Sequence, residues 1–476
     1  MEEDKIIQKK RSNVTLFSVF CTISAAIGSL LYGYDTGVIA GALLYIVPEF
    51  RLEDKPFLEG TIVSITLFGA LIGSLIGGKF SDVKGRKQPL FLCSIIFIIG
   101  GGLMFWSPSV GVLIGGRGMV GLAIGISGVV IPILISESAP ANSRGTLAVF
   151  PQLFISIGIL SSYLVDLGIS LSESSSWRLM LGVSIFPAII QFILIFGLPE
   201  SPRWLVMKNR NDEAKNVLMK LRNDQHVEEE LEVITQGITN MNTTSLKWSD
   251  FSAPGIPKIF LAGCGLQFFQ QLSGINAIIY YTPTILIDSG IEDLFKGLSK
   301  ESASILGTIL VYIPKIPSLF LTMWLIDKIG RRKLLLSTIP TLSLCLAGLA
   351  ITSYLSERGD GEDNSVFAIA SMICILFYGC FFVAGLGAIP NIYCSEIFPP
   401  HLRAIGFGIC VGVQWVLNIG VSQLFPVMRQ TIGLPITFGI FMLSCIFGTF
   451  FVYFFIPETK GKSLEQTIPS INNLGK

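Results

Sequence analysis

Gly78-Lys79-Phe80-Ser81-Asp82-Val83-Lys84-Gly85-Arg86-Lys87 decides the fold, because a shorter echo, Asp327-Lys328-Ile329-Gly330-Arg331-Arg332, returns in the second half of the chain. In both copies an aspartate precedes a glycine by three residues and an arginine by four. Two further pairs keep step with them. Glu137 is followed seven residues on by Arg144, and Glu396 by Arg403. Pro199-Glu200-Ser201 is matched by Pro457-Glu458-Thr459. Arg331 lies 245 residues after Arg86, Glu396 lies 259 after Glu137, and Glu458 lies 258 after Glu200. One duplicated unit with altered loop lengths accounts for all three offsets.

The residues around these motifs say what the unit is made of. Of 476 residues, 51% are hydrophobic and 14% charged, against about 25% charged in an average soluble protein. So few charges cannot cover a soluble surface. The apolar residues also fall in blocks, such as Gly60–Gly78, Phe91–Trp106 and Phe367–Ile389. A helix needs roughly 20 such residues to cross a bilayer core about 30 Å thick. Spans are predicted near 15–37, 59–79, 90–106, 110–135, 147–169 and 180–198, then near 258–282, 304–326, 334–355, 366–390, 404–425 and 435–456. The chain reads as an all-α membrane protein of twelve transmembrane helices in two six-helix pseudo-repeats. Its divisions are an N-terminal half at 1–198, a cytoplasmic helical linker at 199–256, and a C-terminal half with its tail at 257–476. Parallel repeats place a substrate site between the halves, near the bilayer midplane.

The linker is polar, and its middle, Asn211–Gly237, reads as an amphipathic helix with Ala214, Val217, Leu218 and Leu221 on one side. Lys79, Lys84, Arg86 and Lys87 follow the second span, and Lys328, Arg331, Arg332 and Lys333 follow the eighth. Glu357, Asp360, Glu362 and Asp363 lie on the opposite side. Basic residues collect on the cytoplasmic face, so both termini and the linker are expected there. Asn13-Val14-Thr15 and Asn242-Thr243-Thr244 match the glycosylation pattern, and that side leaves them unmodified. Lys5, Lys9, Lys10 and Arg11 precede an apolar run that lacks a small-residue cleavage site, so the run is read as the first span rather than a leader. A net charge of +1 points to no nucleic acid. The nine cysteines form no Cys-x-x-Cys pair and are read as packing residues. His226 and His401 fall in polar connections. Gly73–Lys79 nearly spells a phosphate-binding loop, but Phe80 stands where a Ser or Thr is required. No nucleotide, metal or other cofactor is expected, and no nucleophile–base set marks an enzyme.

Three groups of polar residues carry the functional reading. Asp82, Arg86, Glu137, Arg144 and Glu200 in the first half, with Asp327, Arg331, Glu396, Arg403 and Glu458 in the second, are expected to form a cytoplasmic ion-pair gate. Ordinary positive-inside charge is the alternative. Asp35 lies in or at the end of the first span and Arg117 inside the fourth. Ionisable groups in hydrocarbon are costly and face a partner or a cavity, so this pair is the candidate for loading and releasing a proton. Gln267, Gln270, Gln271 and Asn276 cluster in the seventh span, ahead of Tyr280 and Tyr281. Carboxamides offer donors and acceptors without charge, which suits neutral, hydroxyl-rich ligands. Gln152 in the fifth span and Gln414, Trp415 and Asn418 in the eleventh extend the theme. Gly69, Gly73 and Gly77, with Gly121 and Gly125, are spaced as close-packing helix faces.

These motifs resemble the sugar porter family of the major facilitator superfamily over nearly the whole chain. The residues carrying the resemblance are Gly78–Lys87, Arg117, Glu137–Arg144, Trp177-Arg178, Pro199–Leu205, Gln270-Gln271-x-x-Gly274-Ile275-Asn276, Asp327–Arg332 and Pro457–Gly461. The resemblance implies the major facilitator fold, with Gln152, Gln270, Gln271, Asn276 and Tyr280 contacting sugar hydroxyls and Asp35 with Arg117 as the coupling pair of proton-linked members. Tyr34–Ile39 and Ala42–Ile46 resemble inositol–proton symporters. Trp177–Val183, Glu301–Ser304 and Gly387–Asn391 resemble plant tonoplast monosaccharide transporters, whose long central loop is missing here. Two departures from the family pattern matter. Ala388 and Asn391 stand where the tenth span usually has Pro and Trp, which exchanges an indole for a hydrogen-bonding amide. Lys315, in Pro314-Lys315-Ile316-Pro317, stands where the eighth span often has Asn. Two readings are open, that it faces the cavity or that a register shift at the prolines lets it snorkel, and the second is favoured.

The sequence therefore predicts a secondary transporter moving a monosaccharide or a polyol such as myo-inositol by alternating access, coupled to protons, in a plasma or vacuolar membrane. An uncoupled facilitative uniporter and a non-transporting sugar sensor are the alternatives.

Overall fold

The computed structural model describes residues 15–140, 143, 147–172, 176–224, 226–241, 255–358, 365–398 and 402–460; of Thr239, Asn240, Met241, Asp327, Ser395, Arg403 and Ala404 it describes the backbone alone. The N-terminal basic cluster, both glycosylation patterns and His401 lie partly or wholly outside these residues, as does Arg144.

The described residues form helices throughout the apolar blocks. In the first half these are α1 (Leu16–Glu49), α2 (Pro56–Lys84), α3 (Lys87–Trp106), α4 (Val110–Ser138), α5 (Phe150–Ser170), α6 (Trp177–Gly182) and α7 (Ile185–Gly197). The linker supplies α8 (Pro202–Met207), α9 (Asn211–Arg222) and α10 (Glu228–Met241). The second half contains α11 (Ile256–Leu272), α12 (Ile275–Asp288), α13 (Lys300–Tyr312), α14 (Lys315–Ile329), α15 (Arg331–Arg358), α16 (Ser365–Phe382), α17 (Ile389–Ile397) and α18 (Arg403–Phe455). Large apolar side chains such as Leu75, Phe186, Leu344 and Phe447 stand exposed, while Ser94, Asp166, Gln191 and Gln267 are fully buried. That inverted arrangement suits hydrocarbon as the solvent, where backbone groups are satisfied within helices and polar side chains turn inward.

Ten helical stretches are long and apolar enough to cross a membrane. Two details reconcile them with the twelve predicted spans. The stretch Ile405–Phe455 holds two spans, because Gly433 (φ 80°, ψ 162°) breaks the helix between them. The predicted seventh span is split into α11 and α12 at Ser273-Gly274, where Gly274 has φ 84°. Other spans bend as well: α13 passes to α14 at Ile313-Pro314, and a π-helical turn at Val383–Gly387 joins α16 to α17. Proline explains part of this, since it removes a helix donor and clashes with the preceding turn.

The chain forms two compact units. Unit 1 comprises Met1–Asp35, Gly69–Ile159 and Leu181–Ser245; unit 2 comprises Thr36–Phe68, Leu160–Met180 and Leu246–Lys476. These cut across the sequence repeat, because the ends of α1, α2 and α5 remote from the Gly-Arg motifs belong to unit 2.

In unit 1, α2 and α4 touch backbone to backbone. A Cβ on Gly73 would lie 2.3 Å from the Leu122 carbonyl oxygen, and one on Gly125 2.1 Å from that of Ala70. The linker helices also pack into this unit. Trp204, Leu205, Val206 and Ala214 form a small core, with Val217, Leu231, Ile234 and Ile238 against it. Arg222 is buried and donates to the Ser138 carbonyl at 2.8 Å, which ties α9 to the C-terminus of α4. In unit 2, neutral hydrogen bonds fasten the start of α2, the connection before it and the end of α5 to the second-half helices. Ser64 donates to Gln423 Oε1 (2.6 Å), Gln423 donates to the Phe57 carbonyl (2.8 Å), and Gln430 donates to the Glu53 carbonyl (3.1 Å). Tyr163 donates to the Ile279 carbonyl (3.3 Å), and Ser170 meets Ser302 at 2.6 Å.

Candidate functional site

Asp35 lies in the middle of α1 because that helix runs well beyond the predicted 37 to Glu49. Both Asp35 and Arg117 are buried, at 4% and 1% exposure. Their geometry is bidentate but loose, with Nη1–Oδ1 at 3.4 Å and Nη2–Oδ2 at 3.5 Å, beyond the ~2.7–2.9 Å of a tight charge-assisted contact. Beside them α1 and α5 meet at their backbones: a Cβ on Gly33 would lie 2.0 Å from the Ile155 carbonyl oxygen. A carboxylate and a guanidinium enclosed together form a charge-balanced pair, and proton uptake by the acid would remove that balance.

The carboxamides of the seventh span lie in unit 2 on both sides of the break at Ser273-Gly274. Asn276 on α12 donates to Gln271 Oε1, and Gln271 donates to Gln270 Oε1 at 3.4 Å. Gln270 in turn donates to the Leu386 carbonyl at 2.6 Å. That carbonyl lacks its ordinary helix donor because the residue four positions on is Pro390, which has no N–H. The π-turn and the proline thus create an acceptor, and Gln270 fills it. Gln267 donates to Asn391 Oδ1 at 2.9 Å, while its own Oε1 is buried with no partner among the described residues. Asn391, in place of the usual indole, therefore engages a glutamine of the same cluster. Tyr378 donates to the Ser273 carbonyl at 2.8 Å and pins the break itself. Tyr280 is buried on α12, and Asn418 is buried on α18 with Ser422 donating to it at 3.1 Å. Gln414 and Trp415 are half-buried on α18. Gln152 is an exposed residue of unit 1.

The Gly-Arg motifs build the same junction twice. In unit 1 Arg86 donates to both oxygens of Glu137, at 2.8 and 3.0 Å, and Ser201 donates to Glu137 at 2.6 Å. Glu200 accepts from the backbone N–H groups of Arg86 (2.7 Å) and Lys87 (3.2 Å), capping α3. In unit 2 Arg331 donates to Glu396 at 2.7 Å, and Thr459 donates to Glu396 at 2.6 Å. Glu458 caps α15 by accepting from the N–H groups of Arg331 (2.9 Å) and Arg332 (3.1 Å). A helix N-terminus favours such a carboxylate. The glycine makes room: a Cβ on Gly85 would lie 2.2 Å from Glu200 Oε2, and one on Gly330 2.6 Å from Glu458 Oε2. Asp82 remains 66% exposed and reaches Arg86 only at 3.7 Å. The side chains of Asp327 and Arg403, like all of Arg144, lie outside the described residues.

Some residues escape the sequence reading. Ser201 and Thr459 complete the junctions, and their signal is the hydroxyl shared by the two Pro-Glu motifs. Asp166 on α5 and Gln191 on α7 are fully buried, and neither completes a side-chain hydrogen bond among the described residues. Their signal is a polar residue inside a predicted span. Lys315 corrects an expectation: it is 9% exposed and does not snorkel.

The family model described as "Sugar (and other) transporter" matches residues 21–469. The glucose transporter GlcP of Staphylococcus epidermidis (strain ATCC 12228 / FDA PCI 1200) is 35% identical over 448 residues, 93% of this chain and 95% of that protein. The major myo-inositol transporter IolT of Bacillus subtilis (strain 168) is 33% identical over 461 residues, 96% of this chain and 95% of that protein. Among solved structures, a partially occluded inward-open conformation of the xylose transporter XylE from E. coli superposes with a TM-score of 0.79 at 26% identity, covering 94% of this chain and 100% of that one. A sugar-analogue complex of XylE, described as a proton:xylose symporter, superposes with a TM-score of 0.73 at 27% identity, covering 96% and 99%.

Proposed function

This chain belongs to the sugar (and other) transporter family, and we propose that it moves a monosaccharide or polyol across a membrane by alternating access, in step with protons. The observation that carries the substrate class is the carboxamide relay from Asn276 through Gln271 and Gln270 to the Leu386 carbonyl. Uncharged donors and acceptors held in fixed order suit a ring of hydroxyls, each of which both donates and accepts. We assign substrate contact to this relay with Gln267, Asn391 and Tyr280, and by the same chemistry to Gln152, Gln414, Trp415 and Asn418.

Proton coupling rests on Asp35 and Arg117. Both are enclosed and only loosely paired, so protonation of the acid releases the arginine and deprotonation recaptures it. The named relatives carry glucose and myo-inositol, and the structural neighbour is a proton:xylose symporter, which supports the same class here. The duplicated junctions are assigned to the gate. Each described ion pair lies within one unit, so the junction acts by holding neighbouring helix ends of that unit as one body. The Lys and Arg residues around the junctions, Lys79, Lys84 and Lys87 with Lys328, Arg332 and Lys333, support a cytoplasmic placement of that face and of both termini, in a plasma or vacuolar membrane.

The test is uptake of radiolabelled glucose and myo-inositol into proteoliposomes, with and without an imposed pH gradient. Accumulation driven by the gradient is expected. The Asp35→Asn variant should lose accumulation and keep substrate exchange. Equilibration that ignores the gradient would remove proton coupling, and exchange of neither compound would overturn the substrate class.

A further inference from the structure

Lys315 opens α14 between two prolines and lies deep in unit 2. Its ammonium stands 4.8 Å from the centroid of the Tyr312 ring. Its stem runs across Gly379 on α16, where an added Cβ would lie 2.0 Å from Cε and 3.0 Å from Nζ. The berth therefore depends on a glycine. No carboxylate pairs with the ammonium among the described residues. The acids of this unit that form ion pairs are taken elsewhere, Glu396 by Arg331, Asp288 by Arg429 and Glu49 by Arg178. An aromatic face attracts a cation but carries no net charge, so it leaves the charge of the lysine unbalanced. A buried cation without an anion is strongly disfavoured.

The same helix, α16, touches both this group and the break that carries the carboxamides. Gly379 adjoins Tyr378, which holds the Ser273 carbonyl at the break flanked by Gln270, Gln271 and Asn276. The same span continues through the π-turn to Leu386, the acceptor of Gln270. One span thus supports both the lysine and the uncharged relay.

We propose that Lys315 is the anion-binding element of the substrate site, and that the substrate is a monosaccharide acid, a hydroxyl-rich ring bearing one carboxylate. This rests on the carrier reading above and narrows it. One ammonium balances one negative charge. A phosphate monoester carries about −1.5 to −2 at neutral pH, so a carboxylate matches the site and a sugar phosphate does not.

The experiment uses the full chain in proteoliposomes loaded for counterflow, with D-glucose and D-glucuronate as probes differing only at C6. The wild type is expected to exchange D-glucuronate in preference to D-glucose. Lys315→Gln should lower the glucuronate-to-glucose ratio about 30-fold, the low end for removing one member of a buried charge pair. Lys315→Arg should retain most of the preference. Gly379→Ala, which displaces the ammonium without removing it, should lower the ratio in the same direction and serves if Lys315→Gln does not fold. Exchange of glucose without binding of glucuronate would overturn the acid assignment and leave the carrier reading standing, as would an unchanged ratio in Lys315→Gln and Gly379→Ala. Stronger competition by glucose 6-phosphate than by glucuronate would overturn the carboxylate. Exchange of neither probe would overturn the acid assignment, and exchange of neither these nor myo-inositol would bring down both readings.

Discussion

Replacing Gly330 by alanine tests the capped junction most directly. The residue adopts φ 96° and ψ 164°, a region essentially reserved for glycine where a side chain costs about 1–3 kcal/mol. The new Cβ would also lie 2.6 Å from Glu458 Oε2 and 3.0 Å from Oε1, so the carboxylate has to leave. It then gives up the N–H groups of Arg331 and Arg332, now at 2.9 and 3.1 Å. Hydrogen bonds to charged groups contribute about 1.5–3 kcal/mol each. Taking the low end for a half-buried carboxylate, about 3 kcal/mol for the two, the predicted total is about 4–6 kcal/mol. Gly297→Ala is the control, because Gly297 has φ 107° with nothing within 4 Å of an added Cβ, leaving strain of about 1–2 kcal/mol alone. The assay is thermal unfolding in detergent, followed by fluorescence-detected size exclusion. Gly330→Ala should lower the apparent melting temperature well beyond Gly297→Ala. In a Glu458→Ala background, where the clash and the cap are both gone, Gly330→Ala should cost only the strain. An equal cost with and without Glu458 would refute the reasoning.

Other outcomes follow from neighbouring geometry. Arg86→Ala strands Glu137 from a pair only 5% and 9% exposed, so a loss of about 3–5 kcal/mol is predicted; Arg331→Ala, at a pair 14% and 29% exposed, should lose less, and the reverse order of melting temperatures would contradict this. Gln270→Leu leaves the Leu386 carbonyl without the Gln270 donor, costing about 1–3 kcal/mol, and should raise KM for D-glucose, which uptake titration would read. Ser64→Ala removes one neutral bond to Gln423 worth about 0.5–1.5 kcal/mol, and spin-label distances between α2 and α18 near that bond should broaden.

Much of this is legible in the sequence because duplication writes it twice. The offsets between Arg86 and Arg331, or Glu200 and Glu458, identify the junction partners before any coordinates exist. What they do not reveal is the direction of contact. Glu200 and Glu458 read as further members of an ion-pair cluster, yet they cap helices, a role that needs the positive φ of Gly85 and Gly330. The carboxamide cluster is visible from composition, whereas its order is not, since the Leu386 acceptor arises from a missing N–H four residues away. The break at Gly274 hides in an unbroken apolar run. Lys315 defeats the sequence reading because Pro-Lys-Ile-Pro describes only its own stretch of chain, and Gly379, which admits its stem, lies 64 residues further on.

The hydrogen bonds that fasten α2 and α5 to the second-half helices in unit 2, from Ser64 and Gln423 to Ser170 and Ser302, are all between uncharged groups. Dissolved ions screen charges and leave such contacts nearly untouched. Those particular bonds should therefore hold equally well in dilute and in concentrated electrolyte. Ionic conditions act instead on the charged pairs of the same unit, Arg429 with Asp288 and Arg178 with Glu49, and on the two arginine junctions.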